Sequence, residues 1–389
     1  MPAKTLLLVW TGLGIGWWTL ARSLVASASA KTHPAQSIDA ALTPRSLTVF
    51  KPLPKLREEG MAVEEPGLES FISQLAASDE MLLGVHEADR EAVAPFLARM
   101  HQRHPAGAAR IKVIYRTPSS ELANPKIVWQ RLLAPEAGGE LWLWSDADIT
   151  APSGFLRRAR AEYEKSGAAM MTFPYIVREI SGPSSLFDAL FVNVEFHSGV
   201  LLLRQLGEVD FGLGAAMLFA RKDFERKADW NRLGASLADD FILGQMLRPV
   251  RIGTLTLATA TAATGWKESL AHTLRCWKTI RWCRPLGFAA QLLILPILGW
   301  MAAILLRPGD PFGWAGLFVT AKADVLFARS LCRKAGCPLP LRHLPLLEAW
   351  SLLRGPLWLS CWLPWPVSWR QQTWWSPYLE ADRVILAEG

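Results

Sequence analysis

A short, bulky, apolar run that ends in two aspartates constrains this chain more than any other stretch. Residues 141–144 read Leu-Trp-Leu-Trp, which is typical of a strand buried in a parallel sheet. Asp146 and Asp148 follow almost at once, and side chains two residues apart project from the same side of a strand end. Open α/β sheets bind their ligands at this edge. The stretch therefore predicts a ligand site at the carboxyl end of a central strand.

The spacing of the two aspartates favours a divalent cation. Two like charges held close repel each other unless a cation offsets them, and oxygen ligands at this spacing suit Mg²⁺ or Mn²⁺. The alternative is local: Asp148, four residues before Pro152, could act as the N-cap of the next helix. The pattern alone leaves both interpretations open.

Strand and helix patterns alternate along the first half of the chain, which predicts right-handed βαβ units and a parallel sheet. The predicted strands are residues 47–50, 80–85, 110–115, 141–144 and 168–173, and the predicted helices are residues 68–77, 91–101, 126–133 and 155–166. The glycine-rich run 211–220 is expected to return to the sheet as a further strand, and a helix is expected to run from Asp239-Asp240 through Met246.

Apolar segments near both termini predict membrane helices. Residues 5–21 carry no charge, which favours an uncleaved anchor, although a signal peptide cleaved after Ala30 is the alternative. Residues 286–306 are predicted to span the membrane and residues 312–328 to return across it. Lys322 and Asp324 lie within that return, either as functional groups or as side chains that snorkel to an interface.

Two further segments lie close to the predicted bilayer. Residues 187–206 are read as an amphipathic helix beside it, and residues 344–369 as an interfacial or re-entrant segment with a belt of tryptophans. The resulting division is an N-terminal membrane anchor (1–30), a catalytic domain (45–284) and a C-terminal membrane region (285–375).

Composition points to a membrane rather than to nucleic acid. The formal charge is +7 and there are 19 tryptophans, but most of these lie in or beside apolar runs, as at a membrane interface. Lysines and arginines flank the predicted spans on one side, which places the catalytic domain in the cytosol and the protein in the cytoplasmic (inner) membrane. The five cysteines have neither disulfide nor zinc spacing.

Several short motifs, taken in order, resemble one known family. They are Lys51-Pro52-Leu53, Asn124-Pro125-Lys126-Ile127, the Asp146/Asp148 pair, Leu237-Ala238-Asp239-Asp240-Phe241 and Ser368-Trp369-Arg370. The chain resembles the membrane-anchored glycosyltransferases that include ceramide glucosyltransferase and the hopanoid-biosynthesis glycosyltransferases. This resemblance implies a GT-A type α/β nucleotide-sugar-binding sheet with N-terminal and C-terminal transmembrane helices, and an inverting transfer from a nucleoside-diphosphate sugar.

The resemblance implies a role for each acidic site. Glu87 would bind the nucleoside, at a position where the family usually has Asp, and Asp146 and Asp148 would hold Mg²⁺ or Mn²⁺ on the diphosphate. Lys126 of the Asn-Pro-Lys-Ile motif would contact the nucleotide sugar. Asp240 would be the base that removes the acceptor proton, while its neighbour Asp239 could cap the helix.

The family's (Q/R)xxRW motif is where this chain departs most. Residues 272–277 read His-Thr-Leu-Arg-Cys-Trp, with Cys276 where the family has Trp, and a second frame at 278–282 keeps Arg-Trp but starts with Lys. The first frame is favoured, so His272 and Arg275 would bind the donor diphosphate and Arg275 would assist catalysis. The alternative is that these cations only mark the cytosolic edge of the membrane helix.

These observations predict an enzyme that moves one sugar, of glucose or N-acetylglucosamine type, from a UDP-sugar to the hydroxyl of a membrane lipid. The acceptor would be a ceramide or a hopanoid polyol, and the motifs do not choose between them. The alternatives are a polysaccharide synthase of the same fold and a non-catalytic membrane protein that binds nucleotide-sugar or lipid. Glu87 and Cys276 are the departures that support the last.

Overall fold

The structure, a computed structural model, describes residues 2–30, 45–53, 56, 61–118, 122–261, 265–369 and 372–377. Arg370 of the Ser-Trp-Arg match lies outside them. The strands are β1 (Leu47–Pro52), β2 (Glu80–His86), β3 (Ile111–Arg116), β4 (Leu141–Ser145), β5 (Met170–Thr172), β6 (Tyr175–Ile180), β7 (Glu208–Val209), β8 (Ala216–Ala220), β9 (Val250–Ile252), β10 (Leu257–Thr261), β11 (Val367–Trp369) and β12 (Gln372–Trp374).

The helices follow the same numbering along the chain. They are α1 (Pro2–Ala30), α2 (Glu65–Ile72), α3 (Arg90–Arg103), α4 (Pro105–Ala108), α5 (Pro125–Leu133), α6 (Phe155–Ser166), α7 (Pro183–Leu190), α8 (His197–Leu206), α9 (Arg221–Lys227), α10 (Trp230–Gly234), α11 (Asp239–Met246), α12 (Trp266–Cys283), α13 (Pro285–Ala290), α14 (Pro296–Leu306), α15 (Pro311–Lys334) and α16 (Leu344–Ser360). A π-helical segment, Phe191–Phe196, joins α7 to α8.

The chain folds as two compact units. The sheet unit contains the described residues of 32–176 and 203–260, and the helical unit contains those of 2–31, 177–202 and 261–377. Helix α12, which the sequence assigned to the catalytic domain 45–284, belongs to the helical unit. The proposed domain limits stay predictions.

The main sheet of the sheet unit has eight strands among the described residues, in the order β3-β2-β1-β4-β8-β5-β9-β7. Strands β3, β2, β1 and β4 are mutually parallel, as the alternating pattern predicted. Strand β8 lies antiparallel to both β4 and β5. The fold is therefore a mixed α/β sheet rich in parallel pairs. The predicted parallel sheet is confirmed for β1 to β4, whereas β8 departs from it.

Strand β4 is the centre of the sheet because its side chains fill both faces. Leu141 and Leu143 belong to one buried cluster, together with residues of α2 and α6. Trp142 and Trp144 point to the opposite face and pack in a second cluster with Phe219 of β8. Side chains alternate across a strand, so one bulky apolar run supplies the core on both sides. Both tryptophans are at most 2% exposed.

The glycine-rich segment before β8 does not form the strand that its apolar residues suggested. Only Ala216–Ala220 is a strand, and residues 211–215 form a loop against α11. The amide of Gly212 donates to the carbonyl of Asp240 at 2.9 Å, and a Cβ at Gly212 would lie 2.9 Å from that same oxygen. This close backbone approach explains the glycine and brings the loop to the site described below.

The helical unit differs from the predicted membrane segments at one point. The predicted span 286–306 is not one helix: residues Pro285–Ile294 and Pro296–Leu306 are bent by 65° relative to each other. Pro296 explains the break, because proline has no amide to donate and its ring clashes with the preceding turn. The pair is either a broken span or a re-entrant loop.

The length and apolar composition of the helices bear on the predicted membrane spans. Among the described residues, one helix, Pro183–Leu206, is long and apolar enough on its own to cross a bilayer, and the bent pair adds a second only if it forms one span. Most of the apolar stretch of Pro183–Leu206 is buried inside the protein, as is also seen in core helices of soluble proteins. The sequence had treated its residues 187–206 as too polar for a secure span. Helices α1 and α15 contain the other predicted spans, whose membrane role stays a prediction.

Asp324 of α15 is buried rather than directed to an interface. Its carboxylate accepts hydrogen bonds from Trp18 Nε1 at 2.7 Å, Ser351 Oγ at 3.0 Å and Arg354 Nε at 3.1 Å. Arg354 also donates to the carbonyl of Ile294, at the break before α14. Snorkelling is therefore wrong for Asp324. Lys322, whose side chain is 41% exposed, pairs with Glu348.

Candidate active site

The loop after β4 carries the two aspartates and is shaped by a buried lysine. Lys51, at the end of β1, is fully buried, and its ammonium donates to Ser145 Oγ at 3.0 Å, Asp146 O at 2.7 Å and Ile149 O at 3.4 Å. Burial lowers the pKa of Lys51 to about 7, although Asp148 and Asp146 act in the opposite direction. Three acceptors around one donor group fix the backbone of the loop, so Lys51 positions the aspartates that follow β4.

The aspartate pair has the properties of a cation site. Asp148 Oδ2 accepts a hydrogen bond from Thr259 Oγ1 at 2.6 Å. Asp146 Oδ1 lies 2.7 Å from Lys126 Nζ, and the side chain of Asp146 is 40% exposed. Burial and the neighbouring charge of Asp146 raise the pKa of Asp148. Asp148 is not a helix cap, because the next helix, α6, begins at Phe155 after Gly154.

A divalent ion fits this donor set. The pair offers oxygen ligands only, and a positive charge would relieve the repulsion that raises the pKa of Asp148. No group of three or more His, Cys, Asp or Glu side chains converges as a ready-made metal site in the described part of the chain. Mg²⁺ is commonly held by one or two carboxylates together with substrate phosphates, so two aspartates suffice where a diphosphate supplies the remaining oxygens.

Lys126 connects this pair to a second pair of aspartates. Asn124 caps α5 by accepting from the amides of Lys126 and Ile127, with proline at the first helical position, and this places Lys126 at the helix start. Lys126 Nζ donates to Gly214 O at 3.0 Å and lies 3.9 Å from Asp239 Oδ2. Burial lowers the pKa of Lys126, but the nearby aspartates raise it by more, so its pKa lies above the ordinary value.

Asp239 and Asp240 occupy different environments at the start of α11. Asp240 Oδ2 accepts from the amide of Gly214 at 2.9 Å and Oδ1 from the amide of Phe241 at 2.8 Å. Burial, and then the charge of Asp239, raises the pKa of Asp240 to about 6. A carboxylate with this pKa is mostly ionised at neutral pH yet more basic than an ordinary aspartate, which suits a general base.

Asp239 does not cap the helix, as the sequence had suggested it could. It is the first residue of α11, and its Oδ1 accepts from Asn124 Nδ2 at 3.1 Å. Among the described residues, no hydrogen-bond donor reaches Asp239 Oδ2. Its contacts link α11 to the start of α5 instead.

Comparison with known families decides the class of protein. The sequence model of Glycosyl transferase family 21 matches residues 6–375, which is nearly the whole chain. The chain belongs to Glycosyl transferase family 21. It is a glycosyltransferase, and the alternative of a non-catalytic binding protein loses its support.

Solved structures with some likeness to this glycosyltransferase are remote. Mannosyltransferase PcManGT from Pyrobaculum calidifontis, in complex with GDP-Man and Mn²⁺, is 17% identical over 93% of this chain and 93% of that chain, with a TM-score of 0.43. S. aureus TarS 1–349, in complex with UDP-GlcNAc, is 10% identical over 86% of this chain and 99% of that chain, with a TM-score of 0.38. Likeness at this level decides neither donor nor acceptor. A search of curated protein sequences finds no match.

The structure brings together four of the seven predicted site residues of the glycosyltransferase. Asp146, Asp148, Lys126 and Asp240 are connected within the sheet unit through the contacts above. Their functional roles stay predictions. The contribution of Lys51 was missed, although a lysine at the end of a buried apolar strand is itself a signal.

Glu87 lies in the same unit but has its own partners. It follows β2, and its carboxylate accepts from Arg90 Nε at 2.8 Å, which lowers the pKa of Glu87. The guanidinium of Arg90 in turn lies 3.8 Å from the ring centre of Tyr115 on β3. No sequence motif singles out Arg90 or Tyr115.

His272 and Arg275 lie on α12 in the helical unit. His272 Nδ1 is 2.8 Å from both oxygens of Asp188, and the guanidinium of Arg275 lies 5.9 Å from the ring centre of Trp369. Both residues are at least partly exposed. Their proposed contact with a donor diphosphate stays a prediction.

Proposed function

We propose that this glycosyltransferase moves one sugar, with inversion, from a UDP-sugar of glucose or N-acetylglucosamine type to the hydroxyl of a membrane lipid. The observation that carries the proposal is the Asp240 carboxylate: its pKa is about 6, and Lys126 connects its helix to the Asp146 loop. An unactivated hydroxyl needs a positioned base of this kind to become a nucleophile.

Asp146 and Asp148 would hold Mg²⁺ or Mn²⁺, as their oxygen donors and mutual repulsion favour. A bound divalent ion offsets the negative charge that develops on a departing diphosphate. Lys126 stays protonated because its pKa is raised, so it adds a fixed positive charge to the same region. Glu87 would bind the nucleoside, and His272 and Arg275 would bind the diphosphate, as in the family that the motifs resemble.

Asp240 would take the proton from the acceptor hydroxyl. The amides of Gly214 and Phe241 donate to its two oxygens, so the carboxylate is held in one orientation. Asp239 raises the basicity of Asp240 through charge repulsion and is itself bonded to Asn124. The neighbouring acids therefore have distinct roles: Asp240 acts on the substrate, and Asp239 tunes Asp240.

The acceptor would enter from the bilayer. The helix Pro183–Leu206 and, if it forms one span, the bent pair Pro285–Ile294 and Pro296–Leu306 are long and apolar enough to cross a bilayer. We assign the protein to the cytoplasmic membrane, with the sheet unit in the cytosol, because Arg22, Arg284 and the cluster Arg329, Arg333 and Lys334 follow the positive-inside rule. Ceramide and a hopanoid polyol are the acceptor classes that the motifs favour.

Lipid analysis tests this function. Lipids extracted from cells with the protein, without it, and with the Asp240→Asn variant would be compared by mass spectrometry. The proposal predicts a lipid that carries one added sugar only where the active protein is present. A polymeric product would favour a polysaccharide synthase, and identical lipids in all three cultures would exclude lipid glycosylation under those conditions.

A further inference from the structure

A cysteine, a histidine and an aspartate meet in the helical unit. Cys276 Sγ lies 3.7 Å from His272 Nε2, and His272 Nδ1 lies 2.8 Å from both carboxylate oxygens of Asp188. Thr273 Oγ1 also donates to Asp188 Oδ1 at 2.8 Å. The imidazole therefore connects a carboxylate on one side to a thiol on the other, which is the arrangement of an activated nucleophile.

Local structure fixes this geometry. His272 and Cys276 are four residues apart on α12, so their side chains lie on one face of the helix. Asp188 comes from α7, which packs against α12, and it is only 8% exposed. A carboxylate bonded to one ring nitrogen sets the orientation of the ring, so the other nitrogen faces the sulfur.

The charges around Cys276 favour the thiolate. Burial raises the pKa of Cys276, but the positive charges of His272 and Arg275 outweigh it, and the thiol pKa lies below its ordinary value. The nearby thiolate, together with Asp188, raises the pKa of His272 to about 10 despite burial, so the ring is protonated at neutral pH.

Charged residues on the other elements that pack against α12 do not offset the lowering of the Cys276 pKa. Helix α13 and strand β11 carry no charged residue. On α16, Arg354 pairs with Asp324 and Glu195, and Glu348 pairs with Lys322. The electrostatics of the thiol therefore come from His272, Arg275 and Asp188.

Cys276 is more accessible to solvent than most of the other cysteines. Cys332, Cys337 and Cys361 are buried, whereas Cys276 and Cys283 are partly exposed. The side chain of His272 is 42% exposed, so a small reagent can approach this pair.

We propose that Cys276 is a nucleophilic thiol, activated by His272 and Asp188, that exchanges with small-molecule disulfides. The thiolate attacks one sulfur of the disulfide, and a new sulfur–sulfur bond forms as the old one breaks. The departing thiolate takes the proton from His272 Nε2. One disulfide is consumed, and one mixed disulfide and one free thiol are produced. A small thiol reverses the step. Neither the family match nor the proposed sugar transfer assigns a role to Cys276 or Asp188.

The first test is the pH dependence of alkylation on the full-length protein in detergent. Iodoacetamide labelling of each cysteine would be timed by mass spectrometry from about pH 5.5 to about pH 9, with Cys283 as the internal reference. A Cys276 rate that is half-maximal below about pH 7.5 supports the proposal, because an ordinary thiol titrates near 8.5. A Cys276 profile centred near 8.5 overturns it.

Two variants, one control variant and one disulfide reagent complete the test. His272→Gln should slow Cys276 alkylation roughly tenfold at about pH 6.5, because less thiolate is present, and Asp188→Asn should slow it in the same direction. His101→Gln, on an exposed part of α3, is the control and should leave the rate unchanged. Glutathione disulfide should add to Cys276 and be removed by dithiothreitol. Unchanged rates in both variants, or no adduct on Cys276, would refute the proposal.

Discussion

Replacing Asp240 with asparagine separates the chemistry of the proposed base from the folding of its helix. The variant keeps the size of the side chain and retains one oxygen that can accept from the amide of Gly214 or of Phe241. The second amide loses its acceptor, which costs about 1–3 kcal/mol if it stays buried. Removing the repulsion between Asp240 and Asp239 acts in the opposite direction, so the fold should be retained.

The expected loss of turnover is much larger than the loss of stability. Removing a general base costs about 10²–10⁴-fold in rate, which corresponds to roughly 3–5 kcal/mol in the barrier. Donor affinity should change little, because Asp240 acts on the acceptor. Purified variant and wild type would be compared for release of UDP with a lipid extract as acceptor, for UDP-sugar binding and for thermal unfolding.

The wild-type enzyme should show the same base in its pH profile. The base must be deprotonated, and the pKa of Asp240 is about 6. The value of kcat/KM should therefore fall as pH falls through about 6 and reach roughly a tenth of its plateau at about pH 5. An ordinary aspartate would keep nearly full activity at that pH.

Asp239→Asn is the matched comparison. Its amide oxygen can still accept from Asn124, and removing its charge lowers the pKa of Asp240. Turnover should persist at neutral pH, with the acidic limb shifted to lower pH. If Asp239→Asn abolishes turnover and Asp240→Asn does not, the assignment of the base is wrong.

Three further changes test the surroundings of the site and the helical unit. Lys51→Met removes three hydrogen bonds that fix the aspartate loop. It should raise the Mg²⁺ or Mn²⁺ concentration needed for half-maximal activity about tenfold or more. An unchanged concentration would contradict the positioning role of Lys51. Gly67→Ala would place a Cβ 2.4 Å from Ala147 O; it should lower stability by about 1–3 kcal/mol and reduce transfer, as measured by thermal unfolding and UDP release. Asp324→Asn removes the closer of the two carboxylates that pair with the buried Arg354 and leaves only Glu195, at 3.8 Å. It should destabilise the protein by about 3–5 kcal/mol in detergent, and an unchanged melting temperature would argue against the pair.

Local patterns predicted the part of the site that lies on single elements. The apolar run 141–144 and the two aspartates after it predicted β4 and its loop. A buried strand and the polar residues that end it are both recognisable from consecutive residues. The start of α5 at Asn124-Pro125 could also be predicted from the sequence, because helix capping is a local interaction. These two signals placed Asp146 and Lys126, which the structure brings within 2.7 Å of each other.

The contacts that the sequence did not reveal join residues far apart in the chain. Lys51 reaches the loop about 95 positions later, and the amide of Gly214 binds Asp240, so neither is visible to a periodic pattern. The direction of β8 depends on which strand it pairs with, and apolar composition does not encode this. The break at Pro296 was hidden because hydropathy counts apolar residues without regard to the missing amide of proline.

The measurement closest to the central claim is single-sugar transfer by the purified full-length protein. It would be incubated in detergent with UDP-glucose or UDP-N-acetylglucosamine, Mg²⁺ or Mn²⁺, and ceramide or hopanoid polyol, with and without chelator. We predict one glycosylated lipid per molecule of UDP released, lost on chelation and lost in Asp240→Asn. Full transfer in the presence of chelator would contradict the metal site, and wild-type transfer by Asp240→Asn would contradict the mechanism.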